Sequence, residues 1–332
     1  MSRPWGKLAL LGAVSAAAVA ASVAFGPSDL GFSGLVAAWR EGDDVARQIL
    51  LDIRLPQVIL AALVGAALSA SGAAFQAVLR NPLADPFILG VSGGAALGAT
   101  VSIAFVEAAI AWSTWTRPAC AFAGAVLMLV LLFALGRRRG RTETTTLLLV
   151  GVVLNAFASA LILFLATAGD PARFQEIMQT LVGKMGEPAW VKVGVVAGLV
   201  AMSTGVLTLC GHTLNVLALG EEEAGHLGLA VERATWIALV AASLATAAGV
   251  AFTGIVGFVG LIVPHAVRAV FGSDHRLVVP ASALAGAGFL ALADTAARTL
   301  TAPVQLPVGV LTPLVGGPFF LVLLLRRLRD RG

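Results

Sequence analysis

Apolar runs of some 20 residues recur from one end of the chain to the other, separated by short polar stretches rich in Gly and Pro. Ten such runs fall at 8–26, 55–79, 86–106, 118–136, 145–168, 193–211, 234–252, 255–272, 277–297 and 308–325. As helices rising about 1.5 Å per residue, they are long enough to cross ~30 Å of hydrocarbon. They do not alternate apolar and polar residues as barrel walls do, so helices are the form in which lipid-embedded backbone can satisfy itself. The predicted fold class is an all-α polytopic membrane protein of about ten transmembrane helices, forming a single transmembrane domain over residues 1–332. Within 234–272 there is no acid and no lysine; glycines 254, 257 and 260 predict a break between two short helices.

Composition agrees with the pattern: 58% of the 332 residues are hydrophobic and 12% charged, against about 25% charged in a soluble domain. The pI near 9.8 reflects clusters between the runs, at Arg137, Arg138, Arg139 and Arg141 and at Arg326, Arg327, Arg329 and Arg331. Such clusters are held in the cytoplasm by membrane topology, so no nucleic-acid partner is implied. Ten crossings put both termini on one side, and placing them in the cytoplasm puts both dense clusters there. Trp5, Trp39, Trp112, Trp115, Trp190 and Trp236 all fall at or beyond run ends, where Trp favours the membrane–water boundary. Residues 1–26 also look like a secretion signal, with Arg3 and Lys7 ahead of an alanine-rich stretch; a retained first helix is expected.

The chemistry of an engine is missing from the motifs. Gly6-Lys7 and Gly183-Lys184 lack the Ser or Thr that would complete a phosphate-binding loop. Cys120 and Cys210 have no paired spacing and suit packing; His212, His226, His265 and His275 show no metal-ligand spacing. No catalytic residue and no metal site are expected. The one acid near the hydrocarbon is Asp294, and Arg298 four residues later suits a local ion pair. An ion- or proton-coupled secondary transporter is the alternative class, but it would require midspan acids and inverted repeats. Gly90, Gly94 and Gly98 recur every fourth residue and predict a helix face open to close packing. Between the sixth and seventh runs, about 212–232, Gly220 and Gly228 punctuate two short helices, with Glu221, Glu222 and Glu223 directly after Gly220.

Five segments carry a family resemblance in one order and spacing: RLPQVILAALVGAALSASGAAFQAVLRNPLADPFILGVSGGAALG at 54–98, LNVLALGEEEAGHLGL at 214–229, GFVGLIVPHAVR at 257–268, ADTAAR at 293–298 and LPVGVLTPLVGGPFF at 306–320. They resemble the FecCD-type permeases, the transmembrane subunits of type II ABC importers for iron-siderophore, haem and cobalamin. The resemblance implies a cobalamin-permease-like fold in the bacterial inner membrane. It also implies ATP-driven uptake of an iron chelate, haem or cobalamin through a pathway formed with a second copy of the chain. Its other implied partners are two cytoplasmic ABC ATPase subunits, a periplasmic substrate-binding protein and membrane lipid. No cofactor is implied on this chain, with ATP and Mg on the ATPase.

Residue by residue, the resemblance assigns ATPase coupling to Leu217, Gly220, Glu221, Glu222, Glu223 and Leu227. A cytoplasmic gate falls to Asn81 and Leu83 with Thr144 and Thr145, and binding-protein docking to Arg54 and Arg298. Gln57 stands where the family often has a second arginine, a loss that would either weaken docking or be offset by Arg47 or Arg117. Residues 177–186, IMQTLVGKMG, depart from the family's usual pattern, and Lys184 with Glu187 adds charge near the outer rim. Arg173 lies two residues from the position where haem-type members tend to carry arginine.

Overall fold

The computed structural model describes residues 4–26, 44–87, 89–106, 114–138, 141–142, 144–186, 188–300 and 304–329. Within them the chain is a helical bundle, save for a two-residue antiparallel pairing, Arg137–Arg138 with Arg141–Thr142. The helices are α1 (Pro4–Ala24), α2 (Asp44–Gln48), α3 (Leu55–Val78), α4 (Val91–Val101), α5 (Thr116–Gly136), α6 (Thr144–Ala168) and α7 (Pro171–Leu181). They continue as α8 (Trp190–Leu209), α9 (Gly211–Leu217), α10 (Glu221–His226), α11 (Val231–Thr253), α12 (Val259–Phe271), α13 (His275–Thr299) and α14 (Val308–Arg329). π-Helical turns join α2 to α3 at Ile49–Arg54 and extend α4 through Ser102–Val106.

Each of the ten runs contains a helix, and seven helical stretches are long and apolar enough to span a membrane. Two are shorter than expected: Val91–Val106 and Val259–Phe271. The first starts at Val91 rather than 86 because Asp85, Pro86 and Phe87 form a turn, with the Phe87 N–H donating to Asp85 Oδ1 at 2.9 Å. The predicted break after 252 is present. Gly254 has φ 72° and Phe258 φ 68°, so α11 ends and α12 restarts across residues 254–258. Thirteen residues of α12 rise only about 20 Å, and the irregular backbone before them is partly buried, with Val256 fully so.

α3 is the axis. Its sequence is apolar all round and built largely from Ala, Gly and Ser, so it is wrapped on every side; Val58, Ala61, Val64, Ala67, Ala70 and Ala73 are fully buried. Close approach is what the small residues supply. A methyl on Gly65 would strike the Gly286 carbonyl of α13, and one on Gly94 the Gly124 carbonyl of α5. The glycine face expected on the third run is this α4–α5 seam. By contrast α1 and α6 stay largely exposed along their lengths, as lipid-facing helices do.

The bundle has two distinct ends. At one, α9 and α10 meet the loop after α3 and the start of α13; α1 starts here too, its Lys7 Nζ donating to the Val270 carbonyl. At the other lie Arg54, the ends of α11 and α13, and α7; α14 starts there, the Gly309 N–H donating to the Gly183 carbonyl at 3.1 Å. Trp5 and Trp190 are exposed at helix starts, whereas Trp236 stacks on Phe133; Trp39 and Trp112 lie outside the described residues, as does Glu187.

Candidate functional site: the coupling end and its gate

The segment 211–229 folds as two short helices because glycine ends each one. Gly220, with φ 134°, takes a conformation that a side chain would strain, and it turns the chain from α9 into α10. The N-terminal turn of α10 carries Glu221, Glu222 and Glu223, all exposed and favourably placed against the helix dipole. Its far end closes with Gly228 at φ 80° and the Leu229 N–H reaching back to the Ala224 carbonyl at 3.1 Å, a Schellman cap. Leu217 and Ala224 point into the bundle and are buried, while Leu219 and Leu227 are 61% and 65% exposed. The segment thus offers apolar and acidic groups together on an uncovered surface. Leu217 therefore anchors the segment, and Leu227 belongs to its outer face.

Polar contacts also tie this surface to the bundle. Arg80, a non-glycine residue held at φ 49°, reaches Glu221 at 3.9 Å, and it directly precedes the predicted gate residue Asn81. A second joint is tighter. Asn215 Nδ2 donates to Asp274 Oδ1 at 2.7 Å, and its Oδ1 accepts from the His275 backbone N–H at 2.7 Å and lies 2.8 Å from His275 Nδ1. Asp274 caps α13, accepting from the Arg276 N–H at 3.0 Å, and bonds to the Arg276 side chain and Asn215 hold its carboxyl down at about 2. Arg268 of α12 in turn donates to Gln76 of α3, whose Nε2 donates to the Gly260 carbonyl at 3.1 Å. α9 is thereby tied to the start of α13, and the adjoining turn of α3 to α12.

The gate candidates are brought to this same end. Asn81 and Leu83 share one turn, the Leu83 N–H donating to Asn81 Oδ1 at 2.9 Å, and Leu83 is 42% exposed. Thr144 and Thr145 open α6, Thr145 exposed. Beside the first pair, Asp85 is buried, and burial raises its carboxyl to about 6 against the pull of the Phe87 N–H.

The docking candidates meet at the opposite end, but as buried groups. Arg54 is 2% and Arg298 4% exposed, and the two lie within Coulombic range of each other. Arg298 Nε stands 2.9 Å from Asp294 Oδ2, and its Nη2 donates to Thr295 Oγ1 at 3.2 Å. Gln57 completes the group, 3.5 Å from the same Asp294 oxygen. The expected local ion pair exists, and Gln57 joins it rather than facing outward. Arg117, offered as an outward replacement, is engaged by Glu176 and by Thr180 Oγ1. Arg173 donates to the Ala104 carbonyl at 3.0 Å and pairs with Asp170, the N-cap of α7.

Asn215, Asp274, Arg80 and Gln76 carry the joints but were not predicted as site residues. Asp274 was visible as an N-cap before an apolar run; Asn215 lies inside the 214–229 motif, where nothing distinguishes it from its neighbours until its partner 59 residues on is known.

A bundle of apolar helices with a charged surface wired into its helix ends at one pole is what a transport permease would present. The FecCD transport family matches residues 14–326, and the chain belongs to that family. It is 44% identical over 289 residues to the cobalamin import system permease protein BtuC of Halobacterium salinarum, covering 87% of this chain and 75% of that one. With the hemin transport system permease protein HmuU of Yersinia pestis it shares 39% over 291 residues, 87% of this chain and 86% of the relative. A solved ABC transporter assigned to the metal-chelate type, in an inward-facing conformation, superposes with a TM-score of 0.86 at 29% identity, covering 97% of this chain and 99% of its own. The chain is an ABC importer permease of the FecCD type, a multi-pass protein of the inner membrane, and its cobalamin-permease-like fold is as expected.

Proposed function

We propose that two copies of this chain form the pathway of an ATP-driven importer that carries a bulky metal chelate, haem or cobalamin inward. Two ATPase subunits grip the coupling segments from the cytoplasm, where both termini lie, and a periplasmic binding protein delivers cargo at the other end. The observation that carries this is the uncovered Leu219, Leu227 and Glu221–Glu223 surface joined through Asn215 to the start of α13. Closing of the ATPases would push this lever and switch the bundle between discrete packings. Asn81, Leu83, Thr144 and Thr145 would narrow the cytoplasmic mouth. Arg54 and Arg298 would serve docking through the positive field at the outer end and through the helix ends they hold, since neither side chain is exposed. The buried Asp294 does not favour a proton-coupled carrier, because its carboxylate is engaged by Arg298 and Gln57.

The test is reconstitution in vesicles with and without the ATPase and binding protein. Uptake that requires both partners and ATP supports the proposal; accumulation by this chain alone, driven by an ion gradient, would overturn it.

A further inference from the structure

A cavity of about 410 Å³ opens at the end opposite the coupling segment, among α4, α5, α7, the start of α8 and the end of α11. Its apolar wall is formed by small residues of α4 and α11 together with Phe252. Three cations converge on it: Arg117 from α5, Lys192 from the first turn of α8, and Lys184 from the segment after α7. Among the described residues the carboxylate in its lining is Glu176, which takes up Arg117. Lys192 lies close enough to Arg117 to feel its charge, and among the described residues neither lysine makes an ion pair. Like charges gathered around a partly apolar hollow repel one another, and an anion with an organic body relieves that repulsion while covering the apolar wall.

We infer that this cavity is a binding site for a small organic anion bearing carboxylate or phenolate oxygens, held by Lys184 and Lys192 with Arg117 positioned beside them by Glu176 and Thr180. Resting on the importer reading above, this narrows the cargo to an acidic chelate rather than a neutral one. The Lys184 backbone N–H donates to the Thr253 carbonyl at 2.8 Å, so a ligand pulling on Lys184 also pulls on the broken end of α11. Trp115 packs edge-on against Phe252, ring centroids 6.2 Å apart, which makes it an optical reporter of occupancy.

The experiment uses the full chain in nanodiscs of uncharged lipid, titrated with citrate and, as the neutral control, with glucose. Citrate should give a saturable change in tryptophan emission that is absent in Trp115→Phe and weakens with salt. Lys184→Gln with Lys192→Gln should raise the apparent Kd about tenfold, as loss of two partly exposed charge contacts would. No saturable change, or one indifferent to the two lysines, overturns the site. Capture of the ATPase by the same preparation is read separately by co-purification. Capture without citrate binding sinks the cavity and leaves the importer; citrate binding without capture does the reverse.

Discussion

At the scale of single residues, the strongest constraints are close contacts and buried charge. Gly94 faces the Gly124 backbone of α5 with no room for a methyl, so Gly94→Val should lower stability in detergent by about 1–3 kcal/mol, read as a lower Tm. Arg298→Ala would leave Asp294 buried without its 2.9 Å partner and should cost about 3–5 kcal/mol, whereas adding Asp294→Asn should recover part of it. If the double variant is no better than the single, the ion pair is not what Arg298 supplies. Asp85 gives a pH signature. Its carboxyl is raised from 3.8 to about 6, so the folded state holds the proton more tightly than the unfolded chain. Its effect on stability is most favourable below about pH 4 and is lost as pH rises through about 6. Asp85→Asn, which keeps the acceptor for the Phe87 N–H, should raise Tm at pH 8 and leave it unchanged at pH 4; equal gains at both would refute the assignment. The spacing of Asp294 and Arg298 was enough to predict their pairing, because i and i+4 on one helix are neighbours wherever the helix goes. Burial of Arg54 was not legible, since whether a helix end is covered depends on segments distant in the chain.

At the scale of elements, each of the ten runs was visible as a helix because lipid leaves backbone no other solution, and the two short ones were cut by local turns. Gly254 and Phe258 at positive φ end α11 and delay α12; the Asp85 turn delays α4. The glycines foretold the first break, but the second depends on one side-chain bond that hydropathy does not sense. α7 was missed for a different reason: it is amphipathic and polar, so an apolar search passes over it, although Asp170 followed by Pro171 is a helix start in plain view. The α9–α10 lever was legible from its glycines, its joint to α13 was not. Asn215→Ala should therefore uncouple rather than unfold, with ATP hydrolysis by the assembled complex retained while uptake per ATP falls several-fold. Leu217→Ala, which removes a buried anchor, should instead lower Tm by an amount corresponding to about 2–5 kcal/mol. Parallel loss of hydrolysis and uptake in Asn215→Ala would mean that the joint only holds the segment in place.

At the scale of the whole molecule, the division of labour follows from what each pole exposes. The coupling pole presents acids and leucines that nothing in the described chain covers, and the opposite pole presents a cationic hollow. Between them runs α3, tightly enclosed by small residues, its backbone in close approach to α13 at Gly65–Gly286 as α4 is to α5 at Gly94–Gly124. On the proposed reading, force applied at the lever comes from outside, and the surface to receive it is acidic and apolar together. Charge reversal of Glu221 and Glu222 to Lys should thus weaken ATPase capture, more at low salt than at high salt if the contact is electrostatic, while leaving Tm near that of the parent because both side chains are exposed. Gly220→Pro should lose uptake whatever the salt, because proline cannot adopt the φ of 134° that turns α9 into α10. Co-purification at two ionic strengths separates these outcomes. Capture and uptake indifferent to both changes would remove the coupling segment from the mechanism, and with it the reason for treating this chain as a driven conduit rather than a self-sufficient carrier.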